Sequence, residues 1–361
     1  MKRLILAVIL SVSLLGIAVA AFQSNRRPMP RPTSSGRATP RPSPGTNAAP
    51  ALVSSLFELA PMLFLLVAGV VAFAIGMGVG SFGLSDTPGA AALRGLEAAL
   101  LAVIGGLLAR SFIALLLSSG QDPSAAQIAI GWGFFIVPGA VDSVAKLATG
   151  DVVTSPEILL WMGTVVGAFT GMMNGCWQIH DWKGIGWLAF PLDVTWGLAG
   201  ATTGSLLHII NFAWAGHGDE TRYDAHRYNS GMCFKAGFAL TQGPVMSNLS
   251  DGPGAPLYHH ERTHVWQNRA FGPLFSLSYL GWMAVWLIPG IIAAIVTRDA
   301  EAIQSWCYYN NPWETWAYLV GAGPRTGRHP LIWGDLVILL LSIPFFGGLI
   351  SLFVWIALQA W

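Results

Sequence analysis

The sequence predicts a mainly α, polytopic helical membrane protein with one small polar region at the membrane boundary, and three observations predict it. Of 361 residues, 53% are hydrophobic and only 10% charged, against roughly 25% charged in an ordinary soluble domain. Several separate apolar runs reach the roughly 20 residues needed to cross a hydrocarbon core. The polar residues, in contrast, gather in two segments, 214–270 and 297–330. A soluble enzyme is excluded by the first observation. The net charge of +1, from 19 Lys and Arg against 18 Asp and Glu, leaves no basic surface to hold a nucleic-acid backbone. Three cysteines without CxxC spacing make neither a full disulfide framework nor a cysteine zinc site.

Residues 1–21 open with Lys2 and Arg3, continue as an apolar run and end in Ala18-Val19-Ala20, the layout of a signal peptide or signal anchor. Residues 22–50, rich in Pro, Ser, Thr and Arg, read as a disordered linker. A multi-span helical region follows over 51–213, with spans expected near 57–82, 91–118, 127–148, 157–177 and 187–213. A further apolar stretch lies at 271–296, and a C-terminal membrane segment at 331–361. Gly163, Gly167, Gly171 and Gly175 recur every four residues and mark a face for close helix packing, a glycine zipper. Gly200 and Gly204 repeat the spacing, so the spans that carry them are expected to pair. Asp193 and His208, in an apolar span, suggest polar ties between helices or a proton path.

Function is expected in 214–330. Residues 231–245 mix apolar residues with Gly and Pro and read as a short hairpin, and 257–269 has helical character. Within that helix stands His260-Glu261-Arg262-Thr263-His264, an HExxH pattern. Two histidines four apart share one helical face, so both imidazoles can reach one zinc ion. Glu261 then lies where it can take a proton from water activated by the metal.

Such a site needs a third protein ligand and an open position. Glu314 is the preferred third ligand, because Asn311-Pro312 starts a helix with Glu314 in its first turn and Tyr318 one turn later on the same face. His329, His259, Glu301 and Asp299 are the alternatives. His259 is disfavoured because it points about 100° away from His260 on a helix.

These residues resemble a family. The HExxH helix, followed about fifty residues later by Glu in an NPxExxA setting, is similar to the gluzincin group of zinc metallopeptidases. The strings Phe238-Ala-Leu-Thr-Gln-Gly, His260-Glu-Arg-Thr-His-Val-Trp-Gln267 and Phe271-Gly-Pro-Leu-Phe275 are also similar to bacterial membrane proteins carrying HExxHxxQ and Gly-Pro-Leu-aromatic motifs. The resemblance covers about ninety residues, from near Gly231 to Gly321. It implies a zincin-like region with His260, His264 and Glu314 as ligands of one zinc ion and Glu261 as general base. No second catalytic histidine matches the oxyanion donor of the soluble members. Tyr318, Tyr309, Arg325 and His329 are the candidates, Tyr318 placed first.

The expected protein is thus a membrane-embedded zinc metallopeptidase, a hydrolase acting on a peptide or protein substrate. It is expected in the lipid bilayer as a multi-pass protein of the bacterial inner membrane, with membrane-protein partners allowed. The alternative is a non-catalytic accessory or assembly subunit retaining the metal-site motif. A protease cutting within the bilayer is disfavoured by the polar motif helix. A transporter using Asp193 and His208 is a further reading. One topological constraint follows. His260 and Glu314 must lie on the same side of the membrane, so the stretch 271–296 between them is expected to be re-entrant, turning back at Pro289-Gly290.

Overall fold

The computed structural model describes residues 58–120, 122–215, 222–235 and 237–322. The expected signal segment, linker and C-terminal membrane segment, with the candidates Arg325 and His329, lie outside the described residues. Helix takes up 74% of what is described. The helices are α1 (Leu59–Gly78), α2 (Pro88–Ser119), α3 (Pro123–Ile130), α4 (Val137–Thr149), α5 (Pro156–Cys176), α6 (Gly186–Val194) and α7 (Leu198–Trp214). After three short strands come α8 (Pro256–Phe271), α9 (Pro273–Thr297), α10 (Glu301–Tyr309) and α11 (Pro312–Ala317).

Four helix starts share one local chemistry. Thr87, Asp122, Ser155 and Asn311 each stand directly before a proline, and each side chain accepts a bond from a backbone N–H in the first turn. Proline fits the first helical position because its missing donor would be unpaired there anyway, and the polar residue before it satisfies one of the remaining donors.

Among the described residues, four helices are long and apolar enough to cross a membrane: Leu59–Gly83, which extends α1 by one wider turn, then α2, α5 and α9. Two expected spans are broken instead. The run at 127–148 divides into α3 and α4, because the chain reverses at Ile136 (φ 58°). Gly139 there packs so closely that a Cβ on it would lie 2.2 Å from Trp132 N. The run at 187–213 divides at Thr195–Gly197 into α6 and α7.

The four-residue glycine repeat of α5 is a close-packing face whose partner is α2; α5 also meets the helix carrying Gly200 and Gly204, Thr170 Oγ1 lying 3.3 Å from Thr202 Oγ1, but not through the glycines. Gly163 faces Ala109 and Ile113, and Gly175 faces Ala98, so the two helices run antiparallel. A Cβ on Gly171 would lie 1.9 Å from Leu101 O, closer than any side chain tolerates. Gly171→Ala is therefore expected to destabilise the protein by about 1–3 kcal/mol through overpacking, read as a lowered unfolding midpoint in detergent. An unchanged midpoint would mean that the two helices do not touch there.

Gly200 and Gly204 instead shape α7 as a seat for the polar region. Gly200 lies against the Asn268 side chain of α8, and Gly204 against Gln242 O. The strands β1 (His226–Arg227), β2 (Leu240–Gln242) and β3 (Val245–Ser247) form a sheet in the order β1-β3-β2. β2 and β3 are the arms of a tight antiparallel hairpin, with Thr241 opposite Met246, and β1 adds in parallel to β3. The hairpin occupies the last part of the expected 231–245 and runs two residues past it, its turn falling at Gly243 (φ 49°).

The motif helix α8 is tied to this frame at its C-terminal end. Arg269 donates two 2.8 Å bonds to Asp193 of α6 and a third to Asp224 O. Asn268 donates to Gly197 O, and Trp196 Nε1 to Ala270 O. Asp193 is thus a structural tie between helices. His208 bonds Tyr228 through Nδ1 at 2.8 Å and stacks on Trp177.

Gly272 (φ 51°) turns the chain from α8 into α9, a conformation glycine adopts without steric cost. α9 has 25 residues and runs unbroken through Pro289, about 37 Å at 1.5 Å per residue. The reversal lies beyond Thr297, at Arg298 (φ 54°), rather than at Pro289-Gly290. α10 then returns along α9, Trp306 against Trp286 and Ile303 against Gly290. This hairpin brings the chain back to α8, where α11 docks.

Candidate metal centre

The HExxH turn of α8 and the first turn of α11 meet in the interior. His260 Nε2 lies 3.2 Å from His264 Nε2 and 3.2 Å from Glu314 Oε2, while His264 Nε2 lies 3.3 Å from Glu314 Oε1. One donor atom from each residue falls within 4.8 Å of the other two. All three residues are buried, at 0%, 7% and 2% exposure respectively. Residues about fifty apart in sequence thus converge on one point.

The environment orients each group. His264 Nδ1 bonds Gln267 Oε1 at 2.8 Å. The amide oxygen accepts only, so Nδ1 carries the proton and Nε2 is turned toward Glu314. Gln267 Nε2 donates in turn to Trp313 O, linking the second histidine to the residue before Glu314. Tyr279 of α9 donates a 2.6 Å bond to Glu314 Oε1. Glu261, 5% exposed, has Oε1 3.9 Å from His260 Nε2 and accepts at Oε2 a 2.6 Å bond from Thr241 on β2.

The electrostatics follow from this crowding. Burial acts against a charge on His264, but the Glu314 carboxylate beside it, with Glu261 and the Gln267 bond, lifts its pKa to about 9. Burial would raise the Glu314 carboxyl, yet the His264 charge and the two imidazoles beside it hold it well below its usual range. Burial and then Glu314 push Tyr318 up to about 12, and burial raises Tyr308 well above its ordinary value. Both phenols therefore stay protonated as donors at neutral pH.

These residues suit a divalent ion of the zinc class. Two imidazole nitrogens and a carboxylate oxygen are an open zinc donor set. Glu314 Oε2, buried and bonded to no donor, is an acceptor that a cation would satisfy.

The structure gathers the expected residues His260, Glu261, His264, Glu314 and Tyr318. The Tyr318 ring lies 4.3 Å from that of His260, centre to centre. Behind it the backbone presses on α8, since a Cβ on Gly321 would lie 2.1 Å from His260 N. His259 and Glu301, weighed as alternative ligands, are exposed and stand outside the group. Asp299 lies at the far reversal of the α9–α10 hairpin. Tyr279 and Thr241 were missed. The one signal for Tyr279 was its hydroxyl within an apolar run, where polar atoms are costly unless used. Thr241 lay inside a familiar string, but nothing local ties a strand residue to Glu261. Comparison of the chain with family models, with curated proteins and with solved structures finds no match in any of the three.

Proposed function

We propose that this protein is an integral-membrane zinc-dependent metallopeptidase. The observation that carries the reading is the buried convergence of His260, His264 and Glu314 on one point, with the Glu261 carboxylate directly beside it. When bound, zinc supplies Lewis-acid polarisation of the scissile carbonyl and a lowered pKa for water at its open position. Glu261 accepts the proton of the attacking water and delivers it to the leaving amine. Thr241 aims that carboxylate, its hydroxyl holding Oε2 so that Oε1 faces His260. Tyr318, protonated at neutral pH and packed on His260, is the donor for the oxyanion. β2, an outer strand of its sheet and the carrier of Thr241, offers its backbone to an extended peptide.

The membrane assignment rests on four helices of spanning length and composition among the described residues, of which α1, α2 and α5 are read as crossing and α9 as one arm of a hairpin that does not cross. In this reading the protein is multi-pass, in a bacterial inner membrane, with the metal site at the bilayer boundary. The α9–α10 hairpin leaves and regains the same side, and the apolar residues Leu280, Ile288, Ile292 and Ile295 of α9 are exposed, as lipid contact requires. One observation favours the accessory-subunit reading, the near-complete burial of the site beneath residues 318–322. Metal analysis, with peptide hydrolysis measured on the same samples, separates the two. The purified protein should carry about one zinc per chain, and His260→Ala should lose it; a metal-free wild type after zinc incubation would leave the accessory role.

A further inference from the structure

Tyr279 belongs to none of the motifs that mark the site, yet it makes the two oxygens of Glu314 unlike each other. Oε1 accepts the 2.6 Å bond from the Tyr279 hydroxyl, whereas Oε2 is buried without a hydrogen bond and faces His260. The tyrosine is held on both sides. Its carbonyl accepts from Asn311 Nδ2 at 3.1 Å, and Ser278 Oγ beside it accepts from Trp313 Nε1 at 2.9 Å. α9 is thus stitched to α11 on either side of the carboxylate, and the hydroxyl has little freedom to leave it.

We propose that Tyr279 is a positioning residue that keeps Glu314 a one-oxygen donor, so that the ion retains a free position for water or substrate. The proposal rests on the zinc reading above. An O–H bond to a carboxylate at this length is of the strong, charge-assisted kind, and an oxygen so engaged donates less readily to a cation. A carboxylate gripping through both oxygens would fill the position that distinguishes a catalytic from a closed zinc site. Outer hydrogen bonds of this type orient ligands and tune the metal. In Tyr279→Phe, Oε1 is left buried without its donor, an unfavourable state. Its remaining neighbour, His264 Nε2 at 3.3 Å, is itself committed to the ion, so Oε1 turns to the cation.

Cobalt(II) substitution tests this without relying on turnover, since the intensity of its visible absorption reports coordination number. The wild type should show the strong band of a four-coordinate ion. Tyr279→Phe should still take up one cobalt per chain, but with a band several-fold weaker per bound ion and with kcat reduced. A variant that merely loses metal or melts lower, with unchanged intensity per bound cobalt, would overturn the proposal. If the variant does not fold, the wild type decides alone: a weak five- or six-coordinate band there overturns the proposal while the zinc reading stands. A wild type that binds neither cobalt nor zinc overturns both.

Discussion

Glu261→Gln should leave about one zinc per chain bound while lowering peptide hydrolysis by about 10²–10⁴-fold, the range that a positioned general base contributes. The two properties separate because Glu261 is not among the three converging donors. Glutamine has the same shape, and its amide oxygen can still accept from the Thr241 hydroxyl that now bonds Glu261 Oε2, so the side chain stays in place. What disappears is the capacity to hold a proton between water and leaving group. A quenched-fluorescence peptide library in detergent or nanodiscs, with metal content measured on the same samples, reads both. Hydrolysis close to the wild-type rate in a zinc-loaded variant would remove Glu261 from the mechanism. Loss of the metal would mean instead that this carboxylate holds the ion.

The site was legible where chemistry is local. The HExxH spacing places two imidazoles on one helical face without any knowledge of the fold, and Asn311-Pro312 announces the helix that carries Glu314. The same polar-residue-then-proline signal stands at Thr87, Asp122 and Ser155, and it marks three more helix starts. What stayed hidden depends on partners distant in sequence. Hydropathy counts composition over a window, so it does not register the close approach of Gly131 and Gly139 that folds α3 against α4. Glycine spacing defines a face but not the helix that lies on it, and for α5 that helix is α2. Pro289 looked like a turn because it lacks a donor. A long helix tolerates one missing bond, and α9 continues to Thr297. The bonds of Tyr279 to Glu314 and of Thr241 to Glu261 join segments 35 and 20 residues apart, and no local pattern encodes them.

The second large effect is expected far from the donors, at Asp193. This carboxylate and the Arg269 guanidinium are both fully buried and meet through two 2.8 Å bonds, so removing either charge leaves the other buried without its counter-ion. Asp193→Leu should cost about 3–5 kcal/mol, the usual penalty for breaking a buried pair from one side. Arg269→Met should cost a comparable amount. The double replacement Asp193→Leu with Arg269→Met should cost clearly less than the two singles together, because no uncompensated charge remains and apolar packing replaces the pair. The consequence reaches the candidate site through α8. Arg269 lies five residues after His264, and with it goes one of the ties that hold the motif helix to α6 and α7. Zinc affinity should therefore fall in the single variants even though neither residue touches the ion. Unfolding midpoints of the four proteins in one detergent, with zinc titrations, form the complete cycle. Strictly additive costs would mean that the two charges act independently, and that the motif helix owes its placement to Asn268, Trp196 and the apolar contacts around Val265.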